Sequence, residues 1–144
     1  MIHDDTIKLL RECNAGIKMG ISSIDDVVEK VKNNDMREIL SKCRQDHDRL
    51  GSETVQMLIK YGDEGKEPNP VSKGMSHIMT GVKMAVDGTD STIADIMTDG
   101  CNMGVKSLSR YLNQYAAAEE KAKDITKKLI KLEETLSHDM RGYL

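Results

Sequence analysis

The sequence predicts a single all-α domain, a bundle of four helices that form two hairpins with a crossover segment between them. Apolar residues recur every three or four positions over most of the 144-residue chain, and this is the period of an amphipathic helix. Two segments interrupt the pattern, 62–70, which contains both prolines, and 87–91. Because a chain of this length normally forms one domain, we expect 1–144 to fold as a unit.

The first hairpin is predicted to span 4–62. Its helices cover about 5–32 and 36–61, with Asn33-Asn34-Asp35 as the turn and Gly62 as the stop. Asp35 and Glu38 have the spacing of a capping box at the start of the second helix. The predicted apolar stripes are Leu10, Ile17, Ile21, Ile24, Val28 and Val31 in the first helix, and Met36, Leu40, Cys43, His47, Leu50, Met57, Leu58 and Tyr61 in the second.

A crossover, 63–88, is predicted next, with a short helix at about 70–86 that starts at Pro70 after an Asn69 cap. The second hairpin, 89–141, has predicted helices at about 91–115 and 117–141. Two hairpins joined by a crossover have the connectivity of ferritin-like bundles. The apolar stripes of this hairpin are Ile93, Met97, Cys101, Val105, Leu108, Leu112 and Tyr115, then Ile125, Leu129, Leu132, Leu136 and Met140.

The first helix of each hairpin carries the pattern Cys-Asn-x-Gly-(Ile/Val)-Lys, at 13–18 and again at 101–106. This match predicts two related hairpins about a pseudo-twofold axis. Asn14 and Asn102 are predicted to be buried and hydrogen-bonded. Gly16 and Gly104 each cost about 1 kcal/mol relative to alanine within a helix, so we expect them to permit close helix approach or to make room for a neighbouring side chain.

These segments resemble a known family. The run 12–16 in the first helix, 40–53 and 62–68 in and after the second, 75–86 in the crossover and 138–141 at the end resemble the bacterial ferritin-like four-helix-bundle proteins of unknown function. The resemblance covers nearly the whole chain. It implies a ferritin-like fold with a crossover helix, and it implies no particular activity.

The amino-acid composition argues against several classes of function. The chain has ten Met but no Phe or Trp, so Leu, Ile, Val and Met must fill its core. A net charge of −3 without a basic stripe argues against nucleic acid as a partner. No run of about 18 apolar residues is present, which argues against a membrane span, and no secretory pattern is visible. We therefore expect a cytoplasmic protein with its three cysteines reduced.

A ferritin-like di-metal site is the first alternative function. Such sites use one Glu from each of two helices and Glu-x-x-His from each of the other two. The sequence contains no Glu-x-x-His, since Arg44 precedes His47 and Thr135 precedes His138 by three residues, and an arginine in a ligand position would repel a cation. A degenerate site is the remaining version of this hypothesis, and its candidate ligands are Glu12, Cys13, His47 and Cys101.

A histidine phosphotransfer domain is the second alternative. His47 is followed four residues later by Gly51, as in such domains, but Leu50 stands where they have a lysine. His47 also follows Leu40 and Cys43 on the apolar stripe, which favours a buried histidine over an exposed phosphoacceptor. With neither alternative supported by a full motif, the sequence favours a non-enzymatic protein without a cofactor. Its expected role is structural or protein-binding, and we expect it to form a homo-oligomer.

Overall fold

The structure is a computed structural model that describes residues 2–63 and 89–144. These residues form four α-helices and no strand, so the prediction of an all-α fold is confirmed for the described part of the chain. The predicted crossover helix, 70–86, lies outside the described residues. The helices are α1 (Ile2–Val27), α2 (Asn34–Lys60), α3 (Asp90–Gln114) and α4 (Glu120–Met140), with short 3₁₀ turns at Val28–Lys30 and Arg141–Tyr143.

Two helix ends differ from the prediction. α1 ends at Val27, not near residue 32, because the chain tightens into a 3₁₀ turn and then becomes extended at Val31. α4 begins at Glu120, not at Ala117. The loop that precedes α4 is hydrogen-bonded to side chains of α1. The Ala117 N–H donates to Asp5 at 3.1 Å, and the Glu119 N–H donates to Thr6 at 2.9 Å. The loop is therefore held to α1 before α4 starts.

Side-chain caps fix the starts of α2 and α3. The Asn33 side chain accepts a hydrogen bond from the Met36 N–H at 3.0 Å, so Asn33 is the N-cap of α2 and the predicted capping box at Asp35 is wrong. Thr89 caps α3 in the same way through the Thr92 N–H at 3.2 Å. Gly62 follows α2 with a φ of 73°, a left-handed conformation that suits glycine, and the predicted stop is confirmed.

The helix directions follow from contacts at the two ends of the bundle. Beyond the end of α2, Asp63 accepts a hydrogen bond of 2.7 Å from Arg11 Nε in the first half of α1. Asp90, at the start of α3, accepts hydrogen bonds from the Lys32 and Asn33 N–H groups at 2.8 and 2.9 Å, at the opposite end. α1 and α4 therefore run in one direction, and α2 and α3 run in the other.

The core consists of two apolar clusters, one toward each end of the bundle. One contains Ile24, Leu40, Met97 and Leu136, and the other contains Ile17, Leu50, Leu108 and Leu129, each with further neighbours. In each helix, one residue that belongs to neither cluster lies between the residues of the two clusters. These residues are Gly20 in α1, His47 in α2, Gly104 in α3 and Glu133 in α4.

None of the helices within the described ranges is both long enough and apolar enough to cross a lipid bilayer.

Candidate functional site

A cavity of about 270 Å³ lies between α1 and α3, with His47 of α2 and Glu133 of α4 in its lining. Apolar side chains and glycines make up most of the lining. Asp99 and Met103 are the exposed residues among those that line it, and Met103 retains 42% of its surface. A concave, largely apolar site with a few polar groups is the usual form of a small-molecule site. The remaining lining residues that enter the argument are Glu12, Gly16, Gly20, Gly100, Cys101, Gly104 and Tyr111.

His47 and Glu133 form a buried ion pair in this lining. His47 has no exposed surface, and its Nε2 donates to Glu133 Oε1 at 2.8 Å. Its Nδ1 lies 2.8 Å from the backbone carbonyl of Cys43, which can only accept a hydrogen bond. Both ring nitrogens therefore donate, and this pattern requires a positively charged imidazolium. Gly20, His47, Gly104 and Glu133, which lie between the two apolar clusters, are called the polar layer below. This layer thus contains one pair of opposite charges.

The pKa of His47 is consistent with this hydrogen bonding. Burial alone lowers the pKa of the imidazole because it disfavours the charged form. The hydrogen bonds to the Cys43 side chain and to Glu133, together with the electrostatic interactions with these two groups, outweigh burial and raise the pKa to about 10. His47 is therefore charged at neutral pH, and its ring has no free lone pair with which to act as a general base near pH 7.

Cys101, which lies near this pair, is held as a thiol. Burial first, and then the charge and hydrogen bond of Glu133, raise the pKa of Cys101. Cys43 Sγ lies 3.5 Å from His47 Nδ1. Because a thiol is a much weaker nucleophile and metal ligand than a thiolate, the surroundings of Cys101 do not favour covalent catalysis.

Two glycines make room for the ion pair. A Cβ atom at Gly20 would lie 2.8 Å from the His47 ring, which is too close for any side chain. A Cβ at Gly104 would lie 3.3 Å from the Glu133 carboxylate. The expectation that Gly104 makes room for a neighbouring side chain is therefore confirmed, and Gly20 does the same for His47.

Two further glycines in the lining have no such explanation. A Cβ at Gly16 would make an ordinary contact of 3.6 Å with Leu129, and one at Gly100 would meet nothing within 4 Å in the described part of the chain. Alanine at both positions would favour the helices by roughly 2 kcal/mol in total. Each glycine thus keeps the wall of the cavity free of a side chain at a cost in stability, whereas packing among the described residues does not require it.

Glu12 and Tyr111 lie in another part of the lining. Burial raises the pKa of Tyr111, and the charge of Glu12 and a hydrogen bond to its carboxylate raise it further. Glu12 precedes Gly20 by eight residues, so it lies roughly 12 Å from the level of the His47–Glu133 pair along α1. The cavity therefore has a carboxylate at each of two levels, and His47 pairs with the one on Glu133.

Three of the four candidate ligands predicted from the sequence contribute to this lining, namely Glu12, His47 and Cys101. Cys13 does not, because it packs in the core with its Sγ 3.1 Å from the Thr126 hydroxyl. Burial raises its pKa to about 12, the Thr126 hydrogen bond opposes the rise, and Glu12 adds to it. The four residues therefore do not form one cluster.

No group of three or more His, Cys, Asp or Glu side chains within 2–63 and 89–144 is arranged to hold a metal ion. The geometry of the polar layer explains this result for its own residues. Metal ligands direct lone pairs at a common point about 2 Å away. Here the Nε2–H of His47 points at Glu133, so the two groups are bonded to each other.

The remaining sequence interpretations have mixed outcomes. His47 is buried as predicted, with both ring nitrogens engaged, which does not fit an exposed phosphoacceptor. Arg44 does not enter a ligand position, because it pairs with Asp25 at 2.6 Å on the surface of the first hairpin. Asn14 is buried as predicted, but the prediction that Asn102 is buried is wrong. Asn102 is exposed and accepts a hydrogen bond of 3.4 Å from Ser137, so the two Cys-Asn-x-Gly copies have different surroundings.

Sequence reasoning missed Glu133, the partner of His47. Its position contained a signal, because it lies four residues after Leu129 and three before Leu136, on the buried face of α4. A carboxylate on such a face needs a partner of opposite charge, and His47 is the buried basic residue of the first hairpin.

Comparisons of the chain with protein-family models, with curated proteins and with solved structures give no match.

Proposed function

We propose that this chain is a non-enzymatic binding protein and that the cavity between α1 and α3 is its binding site for a small amphipathic molecule. The cavity itself is the observation that carries the proposal. At about 270 Å³ it is nearly twice the size of a 150 Å³ engineered cavity that binds benzene, so it suits a ligand of roughly ten heavy atoms.

The two unexplained glycines support a binding role. Gly16 and Gly100 widen the cavity at a cost of roughly 2 kcal/mol, a sizeable part of the 5–15 kcal/mol by which domains are usually stable. Sites that are kept at the expense of stability are typically functional.

A non-enzymatic role is supported by the state of the polar groups. The imidazolium of His47 is held by two acceptors, and the Cys101 thiol has a raised pKa. Neither group is prepared to act as a base or a nucleophile near neutral pH. We therefore infer that this polar layer orients a ligand and does not transform it.

The wider predictions from the sequence remain proposals. A ferritin-like origin is supported by the helix directions, with α1 and α4 opposite to α2 and α3. A homo-oligomer is supported by the exposed apolar side chains of Ile59 and Met103. The ferritin-like alternative with a degenerate metal site would need His47 and Glu133 to separate and turn toward a shared ion. A cytoplasmic location stays a prediction from composition.

Calorimetric titration with 1-octanol, which has nine heavy atoms, tests the binding proposal. The full chain should bind one equivalent with a dissociation constant of roughly 5–500 μM, given about 0.5–0.8 kcal/mol per heavy atom. Gly100→Leu should weaken binding at least tenfold, because Gly100 lines the cavity and a Cβ there meets no described atom within 4 Å, which leaves the leucine room to enter it. Gly142→Leu is the matched control, since Gly142 is exposed, also has open space and lies outside the cavity.

Two results would contradict the proposal. One is the absence of saturable binding to the folded wild-type chain. The other is equal weakening by Gly100→Leu and Gly142→Leu, which would show that the bulk of the substitution matters and its position does not.

A further inference from the structure

The polar groups around the buried ion pair differ in the hydrogen-bonding capacity that they have left. The two N–H groups of His47 are both used, on Glu133 Oε1 at 2.8 Å and on the Cys43 carbonyl at 2.8 Å. The Cys101 thiol donates to the Glu133 carboxylate. Because these donors are engaged, a ligand at this level of the cavity can bond only to the acceptor, Glu133.

The Glu133 carboxylate has acceptor capacity that its neighbours within 2–63 and 89–144 do not use. An ionised carboxylate has two oxygens with about four lone-pair positions in total. Oε1 accepts the hydrogen bond from His47, and the Cys101 thiol is one further donor. The Glu133 side chain retains 13% of its surface and lines the cavity, so a molecule in the cavity can reach it. Glu133 can therefore accept a hydrogen bond from a ligand without losing either partner.

Gly104 leaves the second oxygen of Glu133 uncovered on the side of α3. A Cβ atom at Gly104 would lie 3.3 Å from Oε2 and 3.6 Å from the carboxylate carbon, so even a methyl group there would contact the carboxylate. Gly104 is itself part of the cavity lining. The glycine therefore does more than make room for Glu133, since it also keeps a side chain of α3 from covering Oε2.

The charges of the ion pair favour a neutral donor at this oxygen. His47 already balances the charge of Glu133 at 2.8 Å. An ammonium group bonded to Oε2 would lie close to the imidazolium, in a partly apolar site where like charges repel more strongly than in water. A carboxylate group on the ligand would meet the negative charge of Glu133 and has no proton to donate. A hydroxyl group donates a proton and adds no charge.

We infer that the ligand is an alcohol whose hydroxyl group donates a hydrogen bond to Glu133 Oε2, with its apolar body against the apolar part of the lining, which includes Ile24, Met97 and Leu129. This inference rests on the proposed function, since it names the polar group of the molecule that the cavity binds. Hydrogen bonds to an ionised acceptor are roughly twice as strong as those between neutral groups, so this bond should contribute measurably to affinity.

Three probes test the inference by calorimetry on the full chain at pH 7, namely 1-octanol, its isomer heptyl methyl ether, and octylamine. The ether has no proton to donate and is held less strongly by water, so a purely apolar cavity would bind it at least as tightly as the alcohol. We expect 1-octanol to bind about tenfold more tightly than the ether, because it bonds to a charged acceptor. Octylamine is protonated at pH 7, since its pKa is near that of lysine, about 10.4, and it should bind no more tightly than 1-octanol.

Gly104→Ala tests the position of the hydrogen bond, because its methyl group would contact Oε2. It should reduce the preference for 1-octanol over the ether to about twofold or less. Gly100→Ala is the matched control, since it adds the same methyl group to the same helix and the same lining, with no described atom within 4 Å. It should keep the tenfold preference. A preference that survives in Gly104→Ala, or that falls equally in both variants, would overturn the inference.

A measurement on the wild-type chain does not depend on how well the variants fold. The NMR signal of the Glu133 carboxylate carbon should shift on addition of 1-octanol and should shift much less on addition of the ether. Equal shifts with the two probes would contradict a hydrogen bond from the hydroxyl group to this carboxylate.

The failure of this inference differs from that of the proposed function. If the ether binds as tightly as 1-octanol, or octylamine binds more tightly, the cavity is a binding site but does not select a hydroxyl group. If none of the three probes binds, the proposed function fails together with the inference.

Discussion

The buried charge of His47 depends on the absence of a side chain at Gly20, in the facing helix. The two residues are on different helices, and a Cβ at Gly20 would come within 2.8 Å of the ring. The ring cannot move away cheaply, because both of its nitrogens are hydrogen-bonded and the residue is fully buried. Gly20 is unfavourable as a residue within the helix α1, but its contact with His47 across the bundle requires it.

Replacement of Gly20 by alanine should destabilise the protein. Alanine favours a helix by about 1 kcal/mol relative to glycine, but overpacking costs typically 1–3 kcal/mol and here also strains the His47–Glu133 bond. We expect a net loss of about 1–2 kcal/mol in the free energy of unfolding, measured by urea denaturation. Gly100→Ala is the control and should gain up to about 1 kcal/mol, since nothing described lies within 4 Å of its Cβ. Equal effects of the two substitutions would show that the ring does not occupy the space beside Gly20.

The Glu133 carboxylate should set the titration of His47. The pKa of His47 is about 10 in the folded chain, above the ordinary value of 6.5, so its contribution to stability is complete below pH 6.5 and is lost as the pH rises to 10. Glu133→Gln should lower the pKa of the ring measured by NMR, because it removes the hydrogen bond to a carboxylate and its negative charge. The stability difference between wild type and variant should be largest below pH 6.5 and shrink toward pH 10. Glu134→Gln, an exposed neighbour, should leave both quantities unchanged; a His47 pKa that stays near 10 in Glu133→Gln would contradict this account.

At the scale of the elements, the Asp90 carboxylate hydrogen-bonds the second hairpin to the turn of the first at one end of the bundle. Asp90, the first residue of α3, accepts hydrogen bonds from two successive backbone N–H groups of the α1–α2 connection. These donors belong to a turn, so no helix satisfies them. The carboxylate also lies at the positive end of α3, where a negative charge is favourable.

Asp90→Ala should cost about 1–2 kcal/mol in the free energy of unfolding, since it removes two charge-assisted hydrogen bonds at an exposed site. Hydrogen exchange of the Lys32 and Asn33 amides should accelerate in the same variant. Asp95→Ala, an exposed position one turn later in α3, should be neutral or slightly stabilising because alanine is the better helix former. Unchanged exchange at Lys32 and Asn33 would mean that Asp90 does not hold the turn.

The positions of the helices were easier to predict from the sequence than the contacts between the helices. The apolar period located all four described helices, and Gly62 marked the end of α2. The helix ends that were wrong depend on distant partners, as at Ala117 and Glu119, whose N–H groups bond to Asp5 and Thr6 across the bundle. No local pattern encodes such a bond. The N-cap at Asn33 was missed for a different reason, since three successive polar residues could each have served.

At the scale of the whole molecule, the core is divided by a polar layer. His47, Glu133, Gly20 and Gly104 separate the two apolar clusters, and the cavity adjoins this layer. The sequence indicated parts of the site, namely Glu12, His47 and Cys101. It did not indicate their arrangement, because Glu133 lies among apolar residues of α4 and Cys13 bonds to Thr126 in the core, contacts that no local pattern encodes. Under the proposed function, the polar layer would give a ligand an anchor of fixed geometry in an otherwise apolar site.

The most direct test of the central claim, that the cavity between α1 and α3 binds a small amphipathic molecule, is the map of backbone amide shifts on addition of 1-octanol. The account predicts saturable shifts concentrated in residues 12–24 of α1, 96–111 of α3 and the neighbours of His47 and Glu133. It predicts small shifts in the exposed faces of α2 and α4. Shifts that are absent, or that spread evenly and increase linearly without saturation, would contradict it.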